Sequence, residues 1–281
     1  MAERIGASSN DPAVDPPTVD TDSLDEETLA EAEADLETQV AGRSWKALWI
    51  QLGVIIALFV VVVVWLSLAD LSPTELTTLS PAALWGYTVE HLQLTLVATL
   101  IVLIIAVPLG IGLTRRRMRK FSGPVLAIAN IGQAAPSIGL IVLLAFWMGF
   151  GFWAAVIALV LYGALPVLRN TMVGLQHVDQ RLVEAGRGMG MTSRAVLLKV
   201  ELPMAVPIML AGIRTALVLM VGTAALAAFI NGGGLGVLIT TGIQLALPAV
   251  LITGSVLVAL LALLIDWLGR VVEHVAKPKG L

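Results

Sequence analysis

Phe121-Ser-Gly-Pro-Val-Leu-Ala-Ile-Ala-Asn130-Ile-Gly-Gln-Ala-Ala-Pro136-Ser-Ile-Gly-Leu-Ile-Val-Leu-Leu-Ala-Phe-Trp-Met-Gly149-Phe-Gly151-Phe-Trp-Ala-Ala-Val-Ile-Ala-Leu-Val-Leu-Tyr162-Gly-Ala-Leu-Pro166-Val-Leu168 runs without one charged residue. Crossing the hydrocarbon layer of a bilayer takes about 20 apolar residues in a helix. The stretch is therefore long enough for two membrane helices, and Gly149-Phe150-Gly151 is the natural break between them. Working outward, Thr215–Ile265 is likewise uncharged and divides at Asn231-Gly232-Gly233-Gly234. Upstream, Ala47–Ala69 forms one more span and Leu92–Leu113 another, the latter closed by Arg115-Arg116-Arg117. The reading is an all-α membrane protein with six transmembrane helices at roughly 47–69, 89–113, 124–148, 152–170, 204–230 and 247–270.

Composition agrees. The chain is 58% hydrophobic and 13% charged, whereas a soluble domain carries about 25% charged residues. Its net charge of −3 averages two unlike regions. Residues 1–42 hold twelve of the twenty acids against one base, Arg4, while from Arg43 onward sixteen Lys and Arg face eight Asp and Glu. With the N-terminus in the cytoplasm, the outside loops are 70–88, 149–151 and 231–246, and none contains Lys or Arg. Every basic residue except Arg214 then falls inside or at an inside helix end, as the positive-inside rule requires. An odd number of spans would break that pattern.

The segments outside the spans are brief. Residues 1–43 form an acidic tail, largely disordered, because the prolines and acids of its first 22 residues bury too little apolar surface to fold. Ser23 with Glu26 matches a capping box for a short acidic helix ending near Gly42. The first membrane helix occupies 44–70, and 273–281 is a second tail. There is no cysteine, which removes disulfides, thiolate metal sites and cysteine nucleophiles together. The histidines (His91, His177, His274) are scattered, so no metal site is expected. Trp45, Trp49, Trp65, Trp85 and Trp153 sit where interfacial aromatics anchor a span.

One charged stretch stands apart. From His177-Val-Asp-Gln-Arg-Leu-Val-Glu184 through Gly190 to Val200-Glu-Leu-Pro203, the residues read as two short amphipathic helices. Leu182, Ala185 or Gly186, and Met189 share one face of the first. Gly190 is placed to end it, Thr192 or Ser193 to cap the next, and Val196, Leu197 and Val200 give the second its apolar stripe. Such a pair suits docking into a groove on a soluble partner, or packing beneath its own bundle. Residue types alone leave the two nearly even.

The spacing Glu184-Ala185, Gly190 six residues after the glutamate, nine more residues, then Val200-Glu201-Leu202-Pro203 resembles the coupling loop of ATP-binding-cassette (ABC) importer permeases. Gly186 stands where the pattern has alanine, and Val200 where it has isoleucine. Asn130-Ile-Gly-Gln-Ala-Ala-Pro136-Ser137, Tyr162-Gly-Ala-Leu-Pro166-Val-Leu-Arg169-Asn170-Thr171 and Gly232-Gly-Gly-Leu-Gly236 are similar to the osmoprotectant branch of that family, which imports glycine betaine, choline, carnitine and related solutes. The resemblance covers about residues 85–272, with the coupling loop at 178–203, and implies a methionine-importer-like permease bundle with both termini cytoplasmic, in a prokaryotic plasma membrane.

It further implies a translocation subunit, not an enzyme, binding no cofactor itself. ATP and Mg would belong to a partner ATPase, and the other partners would be a second permease, identical or paralogous, an extracellular substrate-binding protein or lipoprotein, and membrane lipid. Nucleic acid is not expected. The coupling set carried over is Glu184, Ala185, Gly186, Arg187, Gly190, Leu202 and Pro203. Asn130, Gln133, Pro136, Ser137, Asn231 and Gln244 are candidates for a translocation passage. Unpartnered amides are costly in an apolar span, so helix–helix hydrogen bonds and solute contact are both open, the former favoured. Alternatives are an importer of another small solute such as an amino acid, or an ion-coupled secondary transporter, which would show inverted repeats or ionisable groups near the midplane. Gly232–Gly236 is no phosphate loop, since no strand precedes it and no Gly-Lys-Ser/Thr follows.

Overall fold

The computed structural model describes the backbone of residues 26–276 and the side chains of residues 45–276. The chain divides into two compact units, Met1–Ala47 and Leu48–Leu281. Of the first unit the described part is helical from Glu26 onward, and the capping box at Ser23 lies outside the described residues. That helix does not stop at Gly42: α1 runs unbroken over Glu26–Leu68. A lone glycine costs a helix only about 1 kcal/mol, too little to end it.

The remaining elements are α2 (Pro73–Thr78), α3 (Pro81–Thr114), α4 (Ser122–Ala134), α5 (Ser137–Met148), α6 (Phe152–Gln176), α7 (Gln180–Gly188), α8 (Ser193–Val196), α9 (Leu202–Ala224), α10 (Gly236–Gln244) and α11 (Pro248–Ala276). Five helical stretches are long and apolar enough to cross a membrane: Trp45–Leu68, Pro81–Thr114, Phe152–Gln176, Ser193–Ile230 and Pro248–Ala276.

The straight span expected at 124–148 is instead a pair of helices, α4 and α5, bent by 99° at their junction. Pro136 is the cause. It has no N–H to continue the ladder and pushes the residue before it out of the helical region. Ala135 accordingly sits at φ −62°, ψ 141°. Neither half, at 13 and 12 residues, covers the roughly 30 Å of hydrocarbon alone. Together they do cross. Arg115 at the end of α3 is ion-paired with Glu201 just before α9, so those two ends share a face. The end of α6 lines the same cavity as Arg115. The chain must then travel to the opposite face between α3 and α6, and only α4 and α5 lie on that path. Among the described residues this gives five candidate spans and, with the bent pair counted as one, a broken sixth.

At the centre, α6 packs against α9 and α3. Small residues permit the close approach: a Cβ on Gly163 would lie 2.6 Å from Met220 Sδ, and one on Gly110 2.8 Å from Thr171 Cγ2. Leu94, Ala98, Val102, Ala155, Leu159, Ala216 and Met220 are buried between these helices. By contrast, only 11% of the most apolar stretch of Trp45–Leu68 is buried, leaving that part of α1 largely exposed on the outside of the bundle.

The loop expected at 231–246 is structured. A 3₁₀ turn over Ala225–Ile230 leads into Asn231 at φ 61°, then α10 folds back onto α11 around Leu235, Leu238 and Val250. On the same face α2 is held by a reciprocal cap, with Ser72 N–H and Oγ each donating to Glu75 Oε2 at 2.9 Å. These bonds, the backbone one foremost, hold the Glu75 carboxyl below its ordinary range against the opposing effect of burial. The Ser72-x-x-Glu75 pattern was readable in the sequence.

Candidate functional site

The helical hairpin between α6 and α9 is built from short-range chemistry. Asp179 caps α7 by accepting from Arg181 N–H at 2.9 Å, and Thr192 caps α8 by accepting from Ala195 N–H at 3.3 Å. Between the helices Gly190 sits at φ +82°, a left-handed conformation that costs little only without a Cβ. The return stroke brings Val178, Val183 and Val196 together as a small core, each no more than 5% exposed, with Met191, Val200 and Met204 around it.

This packing shows which way the apolar face read for the first helix turns. Gly186 is buried, but Leu182 is 44% and Met189 74% exposed, and Ala185 is exposed as well. The chain itself uses the neighbouring stripe, Val183 and Gly186, which the fold-back at Gly190 turns onto α8. Leu182, Ala185 and Met189 therefore point away from the bundle, beside the exposed Glu184 and Arg187. Glu184 makes no ion pair with Arg181 or Arg187. Among the described residues, the ion pairs are Arg115–Glu201, Arg214–Asp266, Arg214–Glu273 and Arg270–Asp266.

The second helix behaves as its sequence suggests: Val196 is buried, Leu197 and Val200 half-buried. It enters the membrane through a feature sequence did not reveal. Residues Leu197–Glu201 form a π turn, closed by Leu202 N–H to the Leu197 carbonyl. One residue more than an α-helix requires is accommodated there. Leu202 then starts α9 half-buried, with Pro203 exposed in its first turn, where a missing N–H costs nothing.

Glu201, inside that π turn, is buried and receives both Nη atoms of Arg115, Nη1 to Oε1 at 3.1 Å and Nη2 to Oε2. This forked pair ties the hairpin to the end of α3. The partners are 86 positions apart, beyond any local sequence signal. A second network explains Arg214: it donates to Asp266 at 2.8 Å and to Glu273 at 2.7 Å, while Asp266 also accepts from Gln51 and Arg270. A charge in the middle of α9 is thereby paired with two carboxylates of the C-terminal half of α11, as intramembrane charges need to be.

The passage candidates lie on separate elements. Asn130 is exposed and Gln133 half-buried on α4; Pro136 and Ser137 form the bend; Asn231 and Gln244 are exposed around α10. Ser137 alone of these lines a narrow crevice with Tyr162 and Thr223. The four side-chain amides make no hydrogen bond within the chain among the described residues, so helix–helix bonding inside one subunit does not account for them. On the α10 side, Glu90 Oε2 accepts from Gly234 N–H at 2.9 Å and holds the glycine-rich turn. Buried His91 meets the Val221 carbonyl through Nε2 at 2.9 Å. No group of three His, Asp or Glu able to hold a metal occurs among the described residues.

Comparison with known proteins places this geometry. The chain is 44% identical over 192 residues to the glycine betaine/carnitine/choline transport system permease protein OpuCB of Bacillus subtilis (strain 168), covering 68% of this chain and 88% of that one. It is 42% identical to the choline transport system permease protein OpuBB of the same strain, over 69% of this chain and 88% of that one. With the osmoprotectant import permease protein OsmW of Salmonella typhimurium (strain LT2) it shares 41%, over 69% and 92% respectively. In three dimensions it is similar to a chain of the MetNI methionine ABC transporter in an inward-facing conformation, with TM-score 0.63 and 26% identity, covering 74% of this chain and all of that one. Residues 106–276 match the family described as binding-protein-dependent transport system inner membrane component. These relatives are named as transport permeases, the membrane-spanning translocation subunits of ABC importers. With a family match across most of its length and a hairpin of the geometry just described, the chain belongs to the binding-protein-dependent transport system inner membrane component family, as a multi-pass permease of the plasma membrane.

Proposed function

We propose that this permease imports a quaternary ammonium compatible solute such as glycine betaine, choline or carnitine. The reading rests on the relatives at 41–44% identity, all named for osmoprotectants, while the methionine transporter is more distant at 26%. A quaternary ammonium group is held by aromatic faces through cation–π attraction, and that cage would lie on the external binding protein. Reconstituted with its ATPase and binding protein, the chain should take up labelled glycine betaine or choline, and unlabelled methionine should not compete. Competition by methionine alone would move the substrate to the amino-acid class.

The permease core is assigned to 85–272, with 1–43 and 273–281 as cytoplasmic tails. Two such subunits, identical or paralogous, would flank the passage, and the uncommitted amides of Asn130, Gln133, Asn231 and Gln244 are available to solute or to the second subunit. The hairpin 178–203 docks on the cytoplasmic ATPase, which carries the ATP and Mg. Leu182 and Met189 offer an apolar ridge, Glu184 a carboxylate with no partner among the described residues, and Gly190 the turn that sets the angle. Closure of the ATPases moves the hairpin, and ATP drives the cycle because it binds one global state better than the other. Through Leu202-Pro203 the movement reaches α9, and through Glu201–Arg115 it reaches α3.

Glu184→Lys and Gly190→Val test this in vesicles with wild-type ATPase: ATP hydrolysis should persist while uptake falls at least tenfold. Normal uptake by both variants rejects the assignment. An ion-coupled transporter would instead take up solute with no ATPase present.

A further inference from the structure

Where α3 leaves the membrane, the turn that follows it and the base of the hairpin border a cavity of about 520 Å³. Its wall carries Arg115, Arg116 and Arg119 from the α3 end, Arg187 from α7, and Gln180. The only carboxylate on the wall is Glu201, already engaged by Arg115. Three guanidinium charges therefore face the cavity with no counter-charge, and Arg115 Nε is a buried donor with no acceptor. Such a wall is suited to an anion with several oxygens, since each guanidinium presents a planar fork of donors.

Two features fix which anion. The cavity lies at the level where α3 and α6 end, just beyond the buried Leu113 and beside Leu175. It is flanked by Met118 and Phe121, 40% and 48% exposed, with Lys120 Nζ 5.0 Å from the Phe121 ring centre. Cations over apolar side chains at a helix end mark the headgroup layer of a bilayer. Basic pockets between membrane helices at that depth suit phosphate-bearing lipid heads. We infer that this cavity binds the phosphate headgroup of an acidic membrane lipid, bridging the end of α3 to the hairpin. The inference rests on the membrane reading; of the cavity's arginines only Arg187 belongs to the coupling set, and the tested Arg116 and Arg119 do not, so its failure would leave that assignment untouched.

The full chain in nanodiscs tests it by titration, with bound lipid counted by native mass spectrometry. Wild type should retain one phosphatidylglycerol per chain against a phosphatidylcholine background. Arg116→Gln and Arg119→Gln should each weaken retention about fivefold, the effect of one basic residue near a charged surface, and Arg194→Gln, an equal loss of charge elsewhere on the hairpin, should not. Unfolding of the variants at the wild-type temperature in phosphatidylcholine alone will show that they are folded. Equal retention by all chains overturns the inference, as does equal weakening by Arg194→Gln. Saturation by inorganic phosphate in phosphatidylcholine discs would assign the site to a free anion instead. One-for-one displacement of the lipid by the ATPase would give the cavity to that protein and reject the lipid.

Discussion

Gly186 departs from the alanine that the coupling-loop pattern carries, yet nothing in its surroundings demands glycine. A Cβ there would meet Met191 Sδ and Val196 Cγ2 at 3.4 Å, ordinary contact distance. Gly186→Ala should therefore stabilise the hairpin by about 0.5–1 kcal/mol through helix propensity, read as a higher melting temperature of the purified permease with uptake unchanged. Glu201 is the opposite case. Glu201→Gln leaves Arg115 with a weaker, uncharged partner and should cost about 1.5–3 kcal/mol, measured as thermal unfolding in detergent. Of these two positions the sequence disclosed one. Gly186 stood in a fixed-spacing motif, while Glu201 stood in the same motif with no hint of its partner, because a salt bridge across 86 positions is a property of the packed bundle. Which apolar stripe of α7 turns inward was hidden for a related reason: Leu182 and Val183 are neighbours, and the turn at Gly190 decides that Val183 packs while Leu182 stays exposed.

At the scale of elements, hydropathy located every crossing but could not tell a straight span from a broken one. Pro136 was visible, and so were Pro108, Pro166 and Pro207, which lie inside helices that continue. The difference is that α4 and α5 bend at an Ala135-Pro136 junction with exposed flanks, where neighbouring helices do not hold the chain straight. Pro136→Ala removes the steric push on Ala135 and should lengthen the distance between spin labels at 126 and 146, measured by electron resonance. On the face bearing α2, the Ser72–Glu75 cap brings a pH dependence. Since the folded carboxyl lies below its ordinary value of 4.5, its contribution is present above that value and fades as pH falls through the folded pKa. Hydrogen exchange of α2 should accelerate only in acid, and Glu75→Gln should abolish that dependence.

For the whole molecule, the number of crossings is the decisive quantity, and the chain's lack of cysteine makes it easy to measure. Single cysteines at Arg117 and Ser193 should react with an impermeant thiol reagent from one side of sealed vesicles. Cysteines at Phe150 and Gln244 should react only from the other. Labelling of 117 and 193 from opposite sides would remove the broken crossing and the charge asymmetry together. The distribution of Lys and Arg already implied an even count, because it depends only on which loops carry them. The meeting of α3, α6 and the hairpin around one arginine-lined cavity could not be foreseen, for it joins Thr114–Arg119 to residues between Leu175 and Glu201, far off in sequence. The π turn at Leu197–Glu201 has a consequence of its own. Its surplus residue sets the rotational phase of the hairpin against α9, and each residue of helix turns the chain by about 100°. Deleting exposed Leu198 would let the helix close into a regular ladder and swing the Glu184 ridge more than a quarter turn about its axis. A loss of one side chain that touches little would then act as a misaligned gear tooth, leaving both machines intact and unable to mesh.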